Sequence, residues 1–362
     1  MAKHEKSEAK SLLKVGIIGG GHIVNHRHIP VFKKLKDVEV FAVCDKEEAF
    51  AKRTAEQFGI GRYFTSLSEM LKQQMDIVDI CTPPRTHYSL AIEAMEAGCH
   101  VLAEKPLAMT LKEVDEMIDV SKRKNVKLCV VHQNLFNPAV QKAKRLVEGG
   151  QVGKIISVDV GTLVRKENHM CVNEKHWCHK LPGGIFFELL PHPIYLFQIF
   201  GKNISPSCVA GKKMTDYPWM KTDELRALMK ADNCLGNVLV SCNSPFHGDN
   251  LNIFGTEMAL QVDLWGRSVI KFKARTEDPV SVGKNNLELA SQFASLLGTT
   301  FSNSVLMATS GIKVSAHYGF IKEFVKSINE NGKPPVSPEE GRENVRIVQE
   351  ICDLVDKSVP ST

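Results

Sequence analysis

The stretch Leu12–Val24, LLKVGIIGGGHIV, decides the fold. Its near-continuous apolar run is stopped by three glycines, and a helical pattern follows. In this strand–turn–helix context a G-x-G-x-x-G pattern binds a dinucleotide, because the tight turn lets the backbone approach the pyrophosphate and the helix N-terminus stabilises the anion. Val24 stands at the third position, where Gly or Ala is usual, so the match is imperfect. The expected cofactor contacts in this stretch are Gly19, Gly21, His22 and Ile23.

An acidic residue ends the next apolar run, Val38–Asp45, VEVFAVCD. Asp45 lies at roughly the 20-residue spacing at which a ribose-binding acid follows the glycines. A carboxylate at that place accepts hydrogen bonds from the ribose hydroxyls and repels a 2′-phosphate, which favours NAD over NADP. The alternative is a glycine-rich turn of an unrelated α/β protein, with Asp45 capping a helix.

The first third of the chain alternates short apolar runs with amphipathic helical patterns, which predicts a doubly wound parallel sheet. Capping boxes are predicted at Thr110–Glu113 and Ser66–Glu69. We expect a tail at residues 1–11 and a Rossmann domain at residues 12–135. The predicted strands are Leu12–Gly19, Val38–Asp45, Ile77–Thr82, Val101–Glu104 and Val126–Val131.

The pattern changes after Pro138, where strand-like runs follow one another with few helices between them. Such runs predict an antiparallel or mixed sheet. Residues 136–362 are therefore expected to form a second, α+β domain. Its predicted strands are Lys154–Arg165, Ser207–Lys212, Gly236–Cys242, Leu251–Phe254, Ala259–Leu264 and Val269–Phe272. Its predicted helices are Pro138–Glu148, Gly184–Phe200, His317–Asn329 and Pro338–Asp356.

Composition excludes several classes of protein. The 362 residues carry a formal net charge of +5 without a dense basic run, which argues against a nucleic-acid partner. The ten cysteines contain no C-x-x-C pair, as expected of buried thiols in a reducing compartment. The first residues lack the apolar core of a secretory signal, and the least polar stretch, Leu287–Ile312, is too polar for a membrane span. We therefore expect a cytoplasmic protein with no membrane partner.

Three further segments carry a family resemblance. Cys81-Thr82-Pro83-Pro84 ends the third predicted strand, with His87 just beyond it. Glu104-Lys105-Pro106 ends the fourth, and Gly183-Gly184 precedes Glu188-x-x-x-His192 in the second domain. Together with the glycine turn, this ordered set resembles the Gfo/Idh/MocA family of nicotinamide-dependent sugar and polyol oxidoreductases.

The resemblance implies an active site between the two domains. It places Lys105 beside the nicotinamide and the substrate hydroxyl, with His192 as its acid/base partner. It also implies that the second domain has a large, open, mostly antiparallel sheet that often forms the oligomer face. The implied cofactor contacts are Thr82, Pro83, Glu104, Lys105 and Asn134, with His87 as a further candidate or a helix start.

The chemistry of these residue types fits alcohol oxidation, which needs a base at the hydroxyl. Burial and a nicotinamide cation lower the pKa of a lysine, and histidine exchanges protons near neutrality. On a helix, Glu188 and His192 are four residues apart and share a face, so the carboxylate could orient the imidazole, although such pairing can equally be structural. The family more often has Asp in place of both Glu188 and Tyr195. The Tyr195 phenol could bind a substrate hydroxyl or simply pack.

A loop rich in histidine and cysteine offers a rival site. Its spacing does not match the usual pairing of zinc ligands, so no metal is expected, and a loop that folds over the active site is favoured. Trp177 and Lys180 in this loop are candidate sugar contacts. Arg165 could bind an anionic substrate group or simply be solvated. The candidate metal ligands are His169, Cys171, His176, Cys178 and His179.

The expected function is an NAD-dependent oxidoreductase, a dehydrogenase acting on CH–OH groups. It would move a hydride between the nicotinamide and a secondary alcohol or ketone of a sugar, sugar nucleotide or cyclitol. Two alternatives stay open: a catalytically silent regulator that senses NAD, and a redox-neutral enzyme that cleaves glycosides with NAD. An open sheet face predicts a homodimer or homotetramer.

Overall fold

The fold is described from a computed structural model, which covers residues 12–273, 278–310 and 315–358. The predicted tail at residues 1–11 lies outside these ranges. The structure contains two sheets, each with its own hydrophobic core.

The first sheet has six parallel strands in the order β3-β2-β1-β4-β5-β6. This is the doubly wound order of a dinucleotide-binding domain, and it confirms the predicted fold class. The strands are β1 (Leu13–Ile18), β2 (Val38–Cys44), β3 (Tyr63–Phe64), β4 (Ile77–Ile80), β5 (His100–Ala103) and β6 (Leu128–Val130). The helices that cover it are α1 (Ile29–Phe32), α2 (Glu48–Phe58), α3 (Leu67–Leu71), α4 (His87–Glu96) and α5 (Leu111–Arg123).

The second sheet has seven strands in the order β13-β12-β11-β7-β10-β9-β8. Its pairs are antiparallel except β7 with β10, so the sheet is mixed and mostly antiparallel, as expected. The strands are β7 (Ile155–Arg165), β8 (Ser205–Lys212), β9 (Glu224–Lys230), β10 (Leu235–Ser244), β11 (Gly248–Gly255), β12 (Met258–Asp263) and β13 (Ser268–Lys273).

The remaining helices pack on this sheet or link it to the first domain. They are α6 (Pro138–Glu148), α7 (His169–Val172), α8 (Ile185–Leu189), α9 (Pro191–Gln198), α10 (Pro279–Ser310), α11 (Ala316–Asn329) and α12 (Pro338–Ser358). Among the described residues, none of these or the earlier helices is both long and apolar enough to cross a bilayer.

Several predicted elements differ from the structure. The helix predicted over Gly184–Phe200 is two helices, because Pro191 starts a new one at its first position. The Thr110–Glu113 capping box is present, whereas the Ser66 side chain makes no capping bond. Strand β9 was not predicted. Its buried positions alternate with less buried ones, but the less buried positions carry both charged residues and the apolar Leu228, which weakens the polar–apolar pattern.

The C-terminal helices connect the two cores. Phe320 and Phe324 of α11 are fully buried in the core of the first sheet, although the predicted second domain runs from 136 to 362. Helix α12 contributes Val345 to the first core and Ile351 to the second. The domain boundary at residue 135 stays a prediction. After residue 135, the chain returns to the core of the first sheet through α11 and α12.

All ten cysteines are free, and nine are buried. Cys208 on the edge strand β8 is exposed. The prediction of buried thiols in place of a disulfide framework is therefore confirmed for these nine.

Candidate active site

In the glycine turn after β1, the backbone packs closely against two neighbouring segments of the chain. Gly19 has φ +106°, and a Cβ there would lie 2.8 Å from the Cys81 carbonyl oxygen. A Cβ on Gly20 would lie 2.9 Å from the Phe50 carbonyl oxygen. Both positions therefore require glycine. A Cβ on Gly21 would meet nothing within 4 Å, so the backbone here faces open space that a cofactor can approach.

Asp45 holds this turn against the end of β2. Its Oδ2 accepts a hydrogen bond from the Gly20 N–H at 2.8 Å, and its Oδ1 accepts from the Glu47 N–H at 2.9 Å. A carboxylate oxygen can accept more than one hydrogen bond, so both oxygens keep capacity for ribose hydroxyls. The glycine turn and the acid thus fit the dinucleotide that the sequence predicts.

The helix that follows the turn is wider than usual. Val24, at the imperfect third position, is fully buried, and Val24–His28 is a π-helical turn. His22 is exposed and stacks on His26 with ring centroids 4.0 Å apart.

His87 contacts both loops that carry the Thr-Pro and Glu-Lys-Pro motifs. Its Nε2 lies 2.7 Å from the Thr82 carbonyl oxygen and its Nδ1 lies 2.8 Å from the Pro106 carbonyl oxygen. The side chain is fully buried, and burial lowers its pKa. Carbonyl oxygens only accept, so a neutral ring donates to one of the two; His87 lies between the two loops, and its contact with a cofactor stays a prediction.

Lys105 and Glu188 form a buried ion pair between the domains. Lys105 Nζ donates to Glu188 Oε1 and, at 2.9 Å, to the Glu188 carbonyl oxygen. Burial raises the pKa of Glu188, partly opposed by the lysine charge. The second carboxylate oxygen, Oε2, is buried and has no hydrogen-bond partner among the described residues.

The partner of His192 differs from the expected one. Its Nδ1 lies 2.9 Å from the Tyr195 hydroxyl, whereas Glu188 pairs with Lys105. The backbone keeps helical dihedral angles at Leu190, between α8 and α9. The structure does not show the predicted contact between Glu188 and His192, and the orientation of His192 by Glu188 stays a prediction. Burial and the charge of Lys105 lower the pKa of His192 well below its usual value.

The Tyr195 side chain is buried between the domains, at 2% exposure. Besides His192, its hydroxyl accepts from the Asn134 N–H at 3.4 Å, and its ring stacks on His132 with centroids 4.4 Å apart. The hydroxyl predicted to touch substrate is thus engaged by protein groups. Asn134 contributes its backbone N–H to this arrangement.

Glu104 belongs to a buried ionic cluster that the sequence analysis did not identify. His28 Nδ1 lies 2.8 Å from Asp79 and its Nε2 lies 3.0 Å from Glu104. Burial opposes charge on His28, but Asp79 outweighs it and raises its pKa well above the usual value. Burial likewise opposes charge on Glu104, yet His28 and Lys105 lower its pKa to about 2. Glu104 is therefore held as a carboxylate.

This cluster also contains the donor sets closest to a metal geometry in the described residues. They are His28–Asp79–Cys81 and His28–Glu104–His317, each with donor atoms within 4.8 Å of one another. Both sets share His28, whose two ring nitrogens lie 2.8 and 3.0 Å from carboxylate oxygens, which only accept hydrogen bonds. An imidazolium has no free lone pair for a metal, so the cluster is explained by its own ion pairs.

The loop between β7 and α8 carries the remaining candidates. Trp177 is half-buried against His176, with ring centroids 5.1 Å apart. Lys180 is exposed, and its carbonyl oxygen accepts from Arg85. Arg165 is exposed and lies 3.3 Å from the Glu167 carboxylate. Of the candidate metal ligands in the loop, Cys171 and Cys178 are buried, and His176 bonds Cys178 at 3.0 Å.

Comparison with known families identifies both domains. Residues 13–132 match the family model described as "Oxidoreductase family, NAD-binding Rossmann fold", and residues 140–261 match "GFO/IDH/MocA C-terminal domain". The chain belongs to the Gfo/Idh/MocA family. The resemblance seen in the sequence is thereby confirmed, as is an NAD-binding first domain.

Relatives of this family member include named dehydrogenases. D-glucoside 3-dehydrogenase of Escherichia coli (strain K12) is 34% identical over 146 residues, which are 40% of this chain and 42% of that protein. Myo-inositol 2-dehydrogenase of Thermotoga maritima is 31% identical over 206 residues, which are 56% of this chain and 60% of that protein. The chain spans about half the length of the curated relatives it matches.

Solved structures of the family share the whole architecture. The WlbA dehydrogenase from Bordetella pertussis, in complex with NADH and UDP-GlcNAcA, has a TM-score of 0.78 and 20% identity, covering 97% of this chain and 99% of that chain. At this level of identity the likeness shows a common fold.

Sequence reasoning missed His28, Asp79, His132 and His317 because their roles depend on tertiary contacts. His28 and His317 are far apart in the chain, yet their rings lie 5.9 Å apart. The available signal was a histidine and an aspartate inside otherwise apolar segments, where a charged group needs a buried partner.

His132 gives the folded protein a testable sensitivity to acid. Burial, only partly opposed by Glu104, lowers the pKa of His132 to about 3, against 6.5 for the ordinary side chain. Between these values the unfolded chain binds a proton that the folded ring does not, so stability falls as the pH falls below 6.5. From pH 7 to pH 5, this group costs about 2 kcal/mol of unfolding free energy.

The measurement is urea unfolding at pH 7 and pH 5. The His132→Gln variant is expected to lose about 2 kcal/mol less than the wild type between these values. His26→Gln, at an exposed histidine, is the control and should lose as much as the wild type. Equal losses in His132→Gln and wild type would show that His132 is protonated in the folded state.

Proposed function

We propose that this chain is an NAD-dependent dehydrogenase acting on a secondary alcohol or ketone of a sugar, sugar nucleotide or cyclitol. The observation that carries the proposal is the buried Lys105–Glu188 pair, at the carboxyl end of β5, where open parallel sheets bind their ligands. Two relatives, named as a glucoside dehydrogenase and an inositol dehydrogenase, support the substrate class. The nicotinamide, when bound, supplies or accepts the hydride.

The residues of the chain divide the remaining work. Lys105 exchanges a proton with the substrate oxygen, and Glu188 pairs with its ammonium form. Because burial raises the pKa of Glu188, its carboxylate is a better proton acceptor than a solvated one, which lowers the cost of moving a proton within the pair. The second oxygen, Oε2 of Glu188, is buried beside Lys105 and unpaired in the described part of the chain, which leaves it able to accept a further hydrogen bond.

Loss of the Lys105 amine should abolish most turnover. Lys105→Met keeps the length of the side chain and removes the proton donor, so kcat should fall by about 10³-fold, within the range of general acid–base catalysis. The assay follows reduced-nicotinamide absorbance with a panel of sugars, cyclitols and sugar nucleotides. NAD affinity should change only a few-fold, and Lys142→Met, on the exposed face of α6, serves as the control.

Turnover that survives in Lys105→Met would contradict the assignment. NAD binding without turnover on any member of the panel would favour the NAD-sensing regulator. Tightly retained NAD that is recycled within each turnover would indicate the redox-neutral alternative.

Asp45 is proposed to set the preference for NAD. Asp45→Asn keeps the shape of the side chain but removes the charge that repels a 2′-phosphate. The ratio of the Kd for NADP to the Kd for NAD should fall by about tenfold, since hydrogen bonds to a charged group are worth more than neutral ones. Fluorescence titration with both cofactors measures the ratio, with Asp37→Asn as the exposed control. An unchanged ratio would show that Asp45 only holds the glycine turn.

The outer face of the second sheet is proposed to pair with a second copy of the chain. Leu228, Leu235 and Phe254 point outward from this face and are 43–55% exposed. Sedimentation should show a dimer or tetramer, and Leu228→Asp should dissociate it, because a buried unpaired charge is costly. A wild-type monomer would contradict the proposal.

A further inference from the structure

A chain of hydrogen bonds runs from the end of the first domain to His192. The Asn134 backbone N–H points at the Tyr195 hydroxyl oxygen at 3.4 Å, and that hydroxyl lies 2.9 Å from His192 Nδ1. The three groups come from two elements: Asn134 from the turn after β6, and His192 and Tyr195 from α9, three residues apart. Tyr195 is thus the link between backbone and imidazole.

The direction of this chain follows from what each group can donate. A backbone N–H only donates, so the Tyr195 oxygen accepts from Asn134 and keeps its own hydrogen. In the described residues, His192 Nδ1 is the acceptor within reach of that hydrogen. If His192 donated instead, the buried hydroxyl hydrogen would have no partner, and an unmet buried donor costs about 1–3 kcal/mol. Nδ1 is therefore the acceptor, and the ring hydrogen of the neutral imidazole is on Nε2.

Packing holds Tyr195 in this arrangement. The side chain is 2% exposed, and its ring lies on the His132 ring at 4.4 Å with an interplanar angle of 23°. Burial and the charge of Lys105 lower the pKa of His192, which keeps the ring neutral. A neutral ring with an occupied Nδ1 offers the substrate a donor at Nε2.

We infer that Tyr195 is a positioning residue that holds His192 in the Nε2–H form, so that His192 donates a hydrogen bond to the substrate oxygen and Lys105 alone exchanges the proton. This inference rests on the proposed dehydrogenase function and assigns His192 a narrower role than the acid/base partnership implied by the family resemblance. Tyr195 acts through His192 and not on the substrate.

The proton balance of the reaction is then simple. In reduction, a reduced nicotinamide would supply the hydride to the substrate carbon, and the Lys105 ammonium gives a proton to the oxygen, which leaves a neutral amine. In oxidation, the neutral amine takes the hydroxyl proton, and the oxidised nicotinamide would accept the hydride from carbon. In both directions His192 keeps its Nε2 hydrogen and stabilises negative charge on the substrate oxygen.

The tautomer of His192 can be observed directly. The full-length protein, labelled with ¹⁵N-histidine, is studied by long-range ¹H–¹⁵N correlation at neutral pH, and the His192→Gln variant identifies the signals of His192. We expect a protonated Nε2 and an unprotonated, hydrogen-bonded Nδ1. Tyr195→Phe removes one oxygen and should shift His192 toward the Nδ1–H form. Tyr88→Phe, which removes a phenol that bonds Glu116, should leave the His192 signals unchanged.

Two results would overturn the inference: a wild-type His192 protonated at Nδ1, or an unchanged tautomer in Tyr195→Phe. The wild-type spectrum alone decides the first, even if the variant does not fold. Because no substrate or cofactor is needed, the spectrum is independent of the turnover assay that tests the proposed function.

Kinetics then separates positioning from general destabilisation. In Tyr195→Phe, kcat should fall about tenfold while KM changes less than about twofold, because the lost hydrogen bond orients a group that acts mainly in the transition state. Unchanged kcat alongside a changed tautomer would contradict the catalytic part of the inference.

Discussion

The ion pair between Lys105 and Glu188 is the interaction on which the site depends. It brings the end of β5 in one domain against α8 in the other, with both side chains largely removed from water. Removing two charges from water is expensive, and leaving one of them unpaired costs about 3–5 kcal/mol. The pair therefore specifies how the two domains meet: any other approach would strand a buried charge.

The pair is the end of a longer alternation of buried charges. Asp79, His28, Glu104, Lys105 and Glu188 carry negative and positive charge in turn, from β4 to α8. Each charge is stabilised by a neighbour of opposite sign, which explains why His28 holds its proton and Glu104 loses its own despite burial. Behind Lys105, the side chains of His28 and Glu104 are thus fixed by their buried neighbours and not by a bound ligand.

The sequence predicted the parts of this molecule that local chemistry determines. The glycine turn and Asp45 occur where short-range rules place them, the family resemblance identified the Glu-Lys-Pro step, and the parallel sheet follows from apolar runs separated by helices. The partner of His192 could not be predicted, because Glu188 and Tyr195 are both at helical spacing from it and only the fold brings Lys105 to Glu188. The His28 cluster was missed for a similar reason: its members lie in separate segments and meet only in the fold.

Helix α11 has a consequence for how the protein is made. Phe320 and Phe324 complete the core of the first domain, although most of the second domain precedes them in the chain. During synthesis from the N-terminus, the nucleotide-binding half therefore leaves the ribosome with an open apolar surface. It can close only after almost the whole polypeptide has emerged, so the two halves mature together and not one after the other.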